Sequence, residues 1–481
     1  MASEVNGPSG QLAEVWGALT GEPELPVPID MEGPAEPLTS VFPVTSLGTA
    51  TIGASLVAAA QLLALRNESR APRVSLDTRH VATAVRSERY LRVNGELAGA
   101  GFAPLSRFWR ASDGWIRLHA NYPWHRDRLL QVLGTTDDST AVGAAIEAWA
   151  VHELEEAVVV AGGVAAGVRS PEEWRAHPQG VVLDVLPLSD ITRIGNAAAR
   201  ARAPAEREAA REIRMLDLTR VIAGPVCTRT LAAHGADVLR IDTPALPEME
   251  AQAIDVLPGK RSAFVDLKSP VGDAEFEHLL DGADVVVSGY RPGSLHQFGL
   301  SPAALAARHP GLVVLELSAW GHEGPWAGRR GFDSLVQAAC GIAVAESRGG
   351  ETPGVLPAQA LDHATGYLAA AAILIALDRQ AREGGTWHIR CSLAQTASFL
   401  LRQPRIAATR EATGEAIAVD PIDASPYLVA MARHREQITI VRPPGALDGR
   451  PLEWPGPPAY LGSASPRWLD APPAATWASS G

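Results

Sequence analysis

The chain has 481 residues, 46% of them apolar and 20% charged, with a formal charge of −12. That length implies two or three domains around a sizeable core, and the acidic balance argues against nucleic-acid or anionic-lipid partners, which attract clustered Lys and Arg. No apolar run reaches the roughly 20 residues of a membrane span, and Cys227, Cys340 and Cys391 lack metal-ligand spacing, so neither a membrane anchor, a disulfide framework nor a metal site is expected.

Residues 1–26 carry acids, Gly and Pro where a secretory signal would place basic and then apolar residues, so a cytoplasmic location is the expectation. Residues 1–40 show no sustained periodicity and read as a flexible start. Within 41–92 the pattern predicts a small-residue helix over 53–67, a strand at RVSLD and a helix at TRHVATAVRSERYL. From 93 to 195 the texture is that of a compact α+β module. FWRASDGWIRLHANYP reads as a hairpin turning at Asp113 and Gly114, and AVGAAIEAWAVHELEEAVVVAGG reads as helical.

Residues 196–213, rich in Ala, Arg and Glu with Pro204 inside, read as a linker. Over 214–404 short apolar strands alternate with helices: RMLDLT, a helix over 225–234, ADVLRID, SAFVDL, a helix after Pro270, ADVVVSG, a helix near 302–308, then LVVLELSAW. This alternation implies an α/β fold with a parallel, doubly wound sheet. Residues 405–481 are Pro-rich and suggest no role.

One internal repeat stands out. TGYLAAAAILIALDRQ followed by HIRCSLAQTA matches GASLVAAAQLLALRN followed by RVSLDTRHVA. Aligning Ala376 with Ala64 sets Asp362 opposite Ala50, so only the second copy carries a carboxylate. Asp362 at a helix start fits a capping role, or a nucleophile kept ionised by the dipole and free N–H groups. In LDLTRVIAGPVCTRTLAAHGADVLRID a Gly-Pro turn between strand and helix fits either an anion site or a plain tight connection, and it is neither a dinucleotide fingerprint nor a Walker loop.

Together with GKRSAFVDLKSP, ADVVVSGYRPGSLHQFGL, LSAWGHEGPWAGRRGFDSLVQAACG and ALDHATGYLAAAAILIALDRQAREGGTWHIRCSL, that turn resembles the class III (CaiB/BaiF-type) CoA transferases and alpha-methylacyl-CoA racemases, densely over 215–400. The resemblance implies a Rossmann-like large domain with a smaller α+β domain, here in rearranged order, because the small domain precedes the sheet. Residues 41–92 would then be a partial duplicate of the catalytic helix and strand. It implies coenzyme A as substrate and product, acyl-CoA and carboxylic acid partners, and a homodimer. Asp362 falls on the catalytic aspartate. CoA would lie against Val221, Ile222 and Ala223, with Lys268, Tyr290 and Arg291 near its nucleotide and Arg330 near its phosphates.

The racemase branch carries His where this chain has Phe332, which disfavours racemisation; His322 and His363 read as structural. Ile222 stands where the oxalate-specific branch has Gln, which points to a more apolar acyl group. Gly99 and Gly101 fall where the family often has a Gly-rich active-site lid, and fit either such a lid or a plain interdomain loop; N–H groups near Gly341 or the lid are candidates for steadying an oxyanion. The alternatives are a racemase, dehydratase or lyase on acyl-CoA, and a non-catalytic CoA-binding subunit.

Overall fold

A computed structural model describes residues 7–98, 101–347, 349–406 and 422–470. At its centre is a seven-stranded sheet. In chain order its strands are β1 (Ser189–Gly195), β2 (Arg214–Leu218), β3 (Asp237–Asp242), β4 (Arg261–Phe264), β5 (Val285–Ser288), β6 (Val313–Ser318) and β7 (Thr386–Ser392), and their spatial order is β4-β3-β2-β5-β6-β7-β1. Neighbours from β4 to β7 run parallel, and β1 closes the edge antiparallel to β7. The fold is thus mixed α/β.

Strand chemistry explains why both faces are covered. Successive side chains point to opposite faces, and here both sets are apolar. Met215, Val285, Val287, Val313 and Leu315 join one buried core. Leu216, Val286 and Val314 join another, filled by Phe276, Leu279 and Leu305 from helices Pro270–Asp281 and Pro302–Arg308.

The first core holds the two repeated units. Helices Val44–Asn67 and Ala360–Glu383 each span 24 residues and pack along one another. They are as long and apolar as membrane spans, yet 89% and 100% of their most apolar windows are buried inside the protein. Each is dominated by apolar and small residues around most of its circumference, as suits a helix enclosed by other elements. Each is followed by a strand, Val74–Asp77 or β7, and a helix, Thr78–Ala84 or Leu393–Arg402.

The pairing of the copies differs by one turn from the sequence alignment. Asp333 accepts the first-turn amides of Leu361 and Asp362 at 2.8 and 3.0 Å, and Glu36 accepts those of Thr45 and Ser46 at 2.9 and 2.9 Å. Counted from these capped ends, buried Ser46, not Ala50, stands in the place of Asp362. Helical packing repeats about every 3.6 residues, so a four-residue offset preserves the buried face and is hard to detect in an Ala-rich alignment.

Several boundaries also move. Residues expected to be flexible instead form helix Pro8–Thr20, whose Leu12, Val15, Trp16 and Leu19 seat on the first core. Their i, i+3, i+4, i+7 spacing is that of an amphipathic helix. The helix expected after RVSLD stops at Ala84, with a 3-10 turn at Ser87–Arg89. Residues 141–163 form two helices, Ser139–Glu147 and Val151–Val160. The small module lends its last strand, β1, to the large sheet and keeps a three-stranded sheet of Phe108–Arg110, Trp115–Leu118 and Ala165–Gly167. The Pro-rich tail gains a role: Leu428–Arg433 and Glu436–Val441 pair beside Arg92–Val93, and Ala446–Leu447 pairs with Val74–Asp77.

Candidate active site

The carboxyl ends of β2, β5, β6 and β7 open onto a cleft of about 370 Å³, lined there by Leu218, Gly289, Ser318 and Leu393. Strand order reverses between β2 and β5, and crevices at such reversals are where open α/β sheets bind ligands. The opposite wall comes from the small module through Tyr122, Trp124 and His125.

The VIAGP turn forms one side of the cleft. Val221 sits at φ 68°, a left-handed conformation that costs a β-branched residue roughly 1–2 kcal/mol. Its N–H donates to Glu248 at 3.2 Å, while Arg220 donates to the carbonyls of Leu246 and Pro247 at 2.8 and 2.9 Å. Beneath it, fully buried Lys260 donates to Asp217 and to the Pro225 carbonyl at 3.0 and 2.9 Å. Burial lowers the Lys260 ammonium to about 8 although Asp217 supports its charge. Gly366 of the long helix lets this turn approach, since a Cβ there would meet the Ala223 carbonyl at 2.5 Å.

Asp362 lines the cleft from the first turn of helix Ala360–Glu383 and is 6% exposed. The expectation that free helix amides keep it ionised is reversed. Asp333 occupies those amides, its other oxygen accepting from Gln337. Burial, then the neighbouring Asp333 and Glu88, push the Asp362 carboxyl well above the usual carboxylate range, and burial also raises Asp333. His363 lies within 3.2 Å of the Glu88 carboxylate. The signal for Asp333 was present in RRGFD, where only the aromatic position had drawn attention.

Of the other expected residues, Val221, Ala223, Tyr290, Arg291 and Arg330 line the cleft. Ile222 does not, being buried in the first core, so it has no contact from which to select an acyl group. Lys268 is exposed and outside the cleft lining. Gly341 packs on Pro171 and is also absent from the lining. Gly101 is exposed, and Gly99 lies outside the described residues.

Sequence reasoning missed Arg220 and Arg329, which join Arg291 and Arg330 in the lining. Arg329 pairs with Glu156 at 2.5 Å and Arg291 donates to the Gly328 carbonyl at 3.2 Å, whereas Arg330 has no ion pair among the described residues. It also missed the aromatic wall. Phe332 stacks on His119 at 3.8 Å and lies 5.9 Å from His125. Burial holds His125 at about 4, so its imidazole is neutral at physiological pH. His322 lies outside the lining.

Residues 211–429 match the model of CoA-transferase family III. An acyl-CoA transferase of Gibberella moniliformis is 30% identical over 304 residues, covering 59% of this chain and 53% of that protein. A probable fatty acyl-CoA transferase of Mycobacterium tuberculosis is 34% identical over 185 residues, covering 36% and 47%. The crystal structure of a CaiB/BaiF family protein from Brucella suis has a TM-score of 0.39 at 26% identity, covering 49% of this chain and 67% of that one. The chain spans about half the length of the curated relatives it matches. Residues 211–429, which carry Asp362 and the turn facing it, are thus similar to the class III (CaiB/BaiF-type) CoA transferases.

Proposed function

We propose that the chain moves coenzyme A from an acyl-CoA to a carboxylic acid, with Asp362 as nucleophile. The observation that carries this reading is one carboxylate, on the first turn of a buried helix, facing a cleft between sheet and small module within the family-matched segment. The strand order and the helices on both faces support a doubly wound, Rossmann-like large domain, whose reversal point holds the substrate. The cleft draws both walls from a single chain, so a homodimer is not needed to complete it.

An Asp362 oxygen attacks the thioester carbonyl, the C–S bond breaks, and an acyl-aspartyl anhydride and CoA thiolate result. The thiolate attacks the aspartyl carbonyl and expels the donor acid, leaving an aspartyl-CoA thioester. The acceptor carboxylate attacks that thioester, freeing the thiolate again. Attack of the thiolate on the acceptor's carbonyl forms the new acyl-CoA and restores Asp362. Burial makes the ionised carboxylate scarce but poorly solvated and therefore reactive, and Phe332, Tyr122 and Trp124 keep water from the anhydrides. Arg291 and Arg330 stand at positions suited to CoA phosphates. Incubation with an acyl-CoA panel and hydroxylamine should leave a hydroxamate on Asp362, read by peptide mass spectrometry. CoA binding without modification by any donor would refute the covalent route.

A second reading has one specific observation behind it. Phe332 removed the expected proton carrier, but neutral His125 lines the same cleft as Asp362 and supplies another base. Exchange of α-hydrogens of an acyl-CoA in D2O, without transfer, would favour it.

A further inference from the structure

Buried cations elsewhere in the described residues are partnered. Arg66 donates to the carbonyls of Ala203, Ala209 and Arg211. Arg229 pairs with Asp255, Arg240 with Asp242, Lys260 with Asp217 and Arg433 with Glu436. Arg117 breaks the pattern. It lies in the middle strand of the small module's sheet, is 5% exposed, and its Nε is buried without a hydrogen-bond partner, with no ion pair to the side chain among the described residues. Leaving a buried charge without a hydrogen-bonding counter-ion is costly, and sites that accept that cost commonly hold a ligand.

The surroundings say which ligand. The guanidinium lies 4.6 Å from the centroid of Phe102 and 5.1 Å from that of Phe108. Two residues along the chain, His119 is 6% exposed, its Nδ1 is buried without a partner, and its ring stacks on Phe332 of the cleft wall. Phe102 meets His119 edge-on at 6.1 Å and is itself 47% exposed. Two unpartnered nitrogens, one of them on a cation, therefore sit among aromatic rings beside the nucleophile's wall. A guanidinium fork matches a carboxylate, and the rings suit an apolar or aryl group attached to it.

We propose that Arg117, with His119 as second polar contact, forms a carboxylate subsite beside the Phe332 wall of the cleft, covered by Phe102, that takes up the acid substrate before its carboxylate reaches Asp362. This rests on the CoA-transfer reading for its role in turnover but not for the binding itself. The neighbouring Asp333 offers a competing role for Arg117 as a mere counter-charge, and the experiment separates the two.

Benzoate, with neutral benzamide as control, is titrated into the full chain without CoA and followed by calorimetry and thermal shift. Saturable benzoate binding is expected, weakened at least tenfold in Arg117→Met, which keeps the packing between the rings, and partly kept in Arg117→Lys. Ligand-free Arg117→Met should melt close to the parent, because only the ring contacts with Phe102 and Phe108, and no hydrogen bond or ion pair, are lost. In the transfer assay its KM for the acid should rise at least tenfold with KM for acyl-CoA within twofold. Equal benzoate binding by parent and Arg117→Met, no binding by the parent, or a marked loss of ligand-free stability in Arg117→Met would each overturn the proposal. Benzoate binding through Arg117 in a protein that never modifies Asp362 would instead refute the transferase reading alone.

Discussion

Asp333→Asn isolates the acid pair at the heart of the cleft. One Asp333 oxygen accepts the Leu361 and Asp362 amides and the other accepts from Gln337, whose own oxygen is committed to the Leu356 amide at 2.9 Å. An Asn can serve the two amides with its carbonyl, but its NH2 then faces the Gln337 NH2. Gln337 cannot turn over without abandoning Leu356. One buried donor left unsatisfied costs roughly 1–3 kcal/mol, at about 2–4 °C of Tm per kcal/mol for a domain of this size. The electrostatic consequence runs the other way. Asp333 is one of two acids that raise Asp362, so removing its charge lowers the Asp362 pKa. In the proposed mechanism ionised Asp362 is the active form, hence the acid limb of kcat/KM should move to lower pH in the variant. Initial rates from pH 4.5 to 9 at constant ionic strength, with melting curves on the same samples, test both parts. A folded Asp333→Asn protein whose acid limb stays put or moves to higher pH would refute the coupling.

Asp362→Asn should lose turnover yet be no less stable at alkaline pH. The raised pKa means that the folded state penalises the carboxylate, so stability falls in the parent as pH rises through that pKa. The variant should escape this, and melting at pH 6 and pH 9 should show the gap widening with pH. Lys260→Met strands the buried Asp217 carboxylate and should cost about 3–5 kcal/mol, measurable by denaturant unfolding; a cost near zero would remove Lys260 as the anchor of the VIAGP turn. Arg330→Ala should raise KM for acyl-CoA and weaken its salt dependence, whereas Lys268→Ala should leave both unchanged.

The core of the fold was legible because its signals are local. The apolar runs of β5 and β6, the helices beginning at Pro270 and Pro302, and the small-residue helix over 360–383 each follow from short-range preferences. Helix Pro8–Thr20 was missed because Gly and Pro around it outweighed a four-residue apolar stripe. Strand β1 was assigned to the small module because sequence continuity says nothing about which sheet edge completes a strand's hydrogen bonds.

For the site, the sequence by itself determined the nucleophile candidate, the VIAGP turn and the arginines at 291 and 330, since these lie within contiguous motifs. Only the tertiary structure decided the charge state around Asp362, because that depends on Asp333 and Glu88, which reach it from 29 and 274 residues away in the chain, and on burial that no window of residues records. It alone turned Ile222 inward and left Lys268 outside, and it alone brought His119 and His125 from the small module to the wall of Phe332 and Arg117 to Phe102. Pairing, desolvation and the absence of a partner for a buried charge are properties of a surface after it has closed, so they come into existence only with the packed chain.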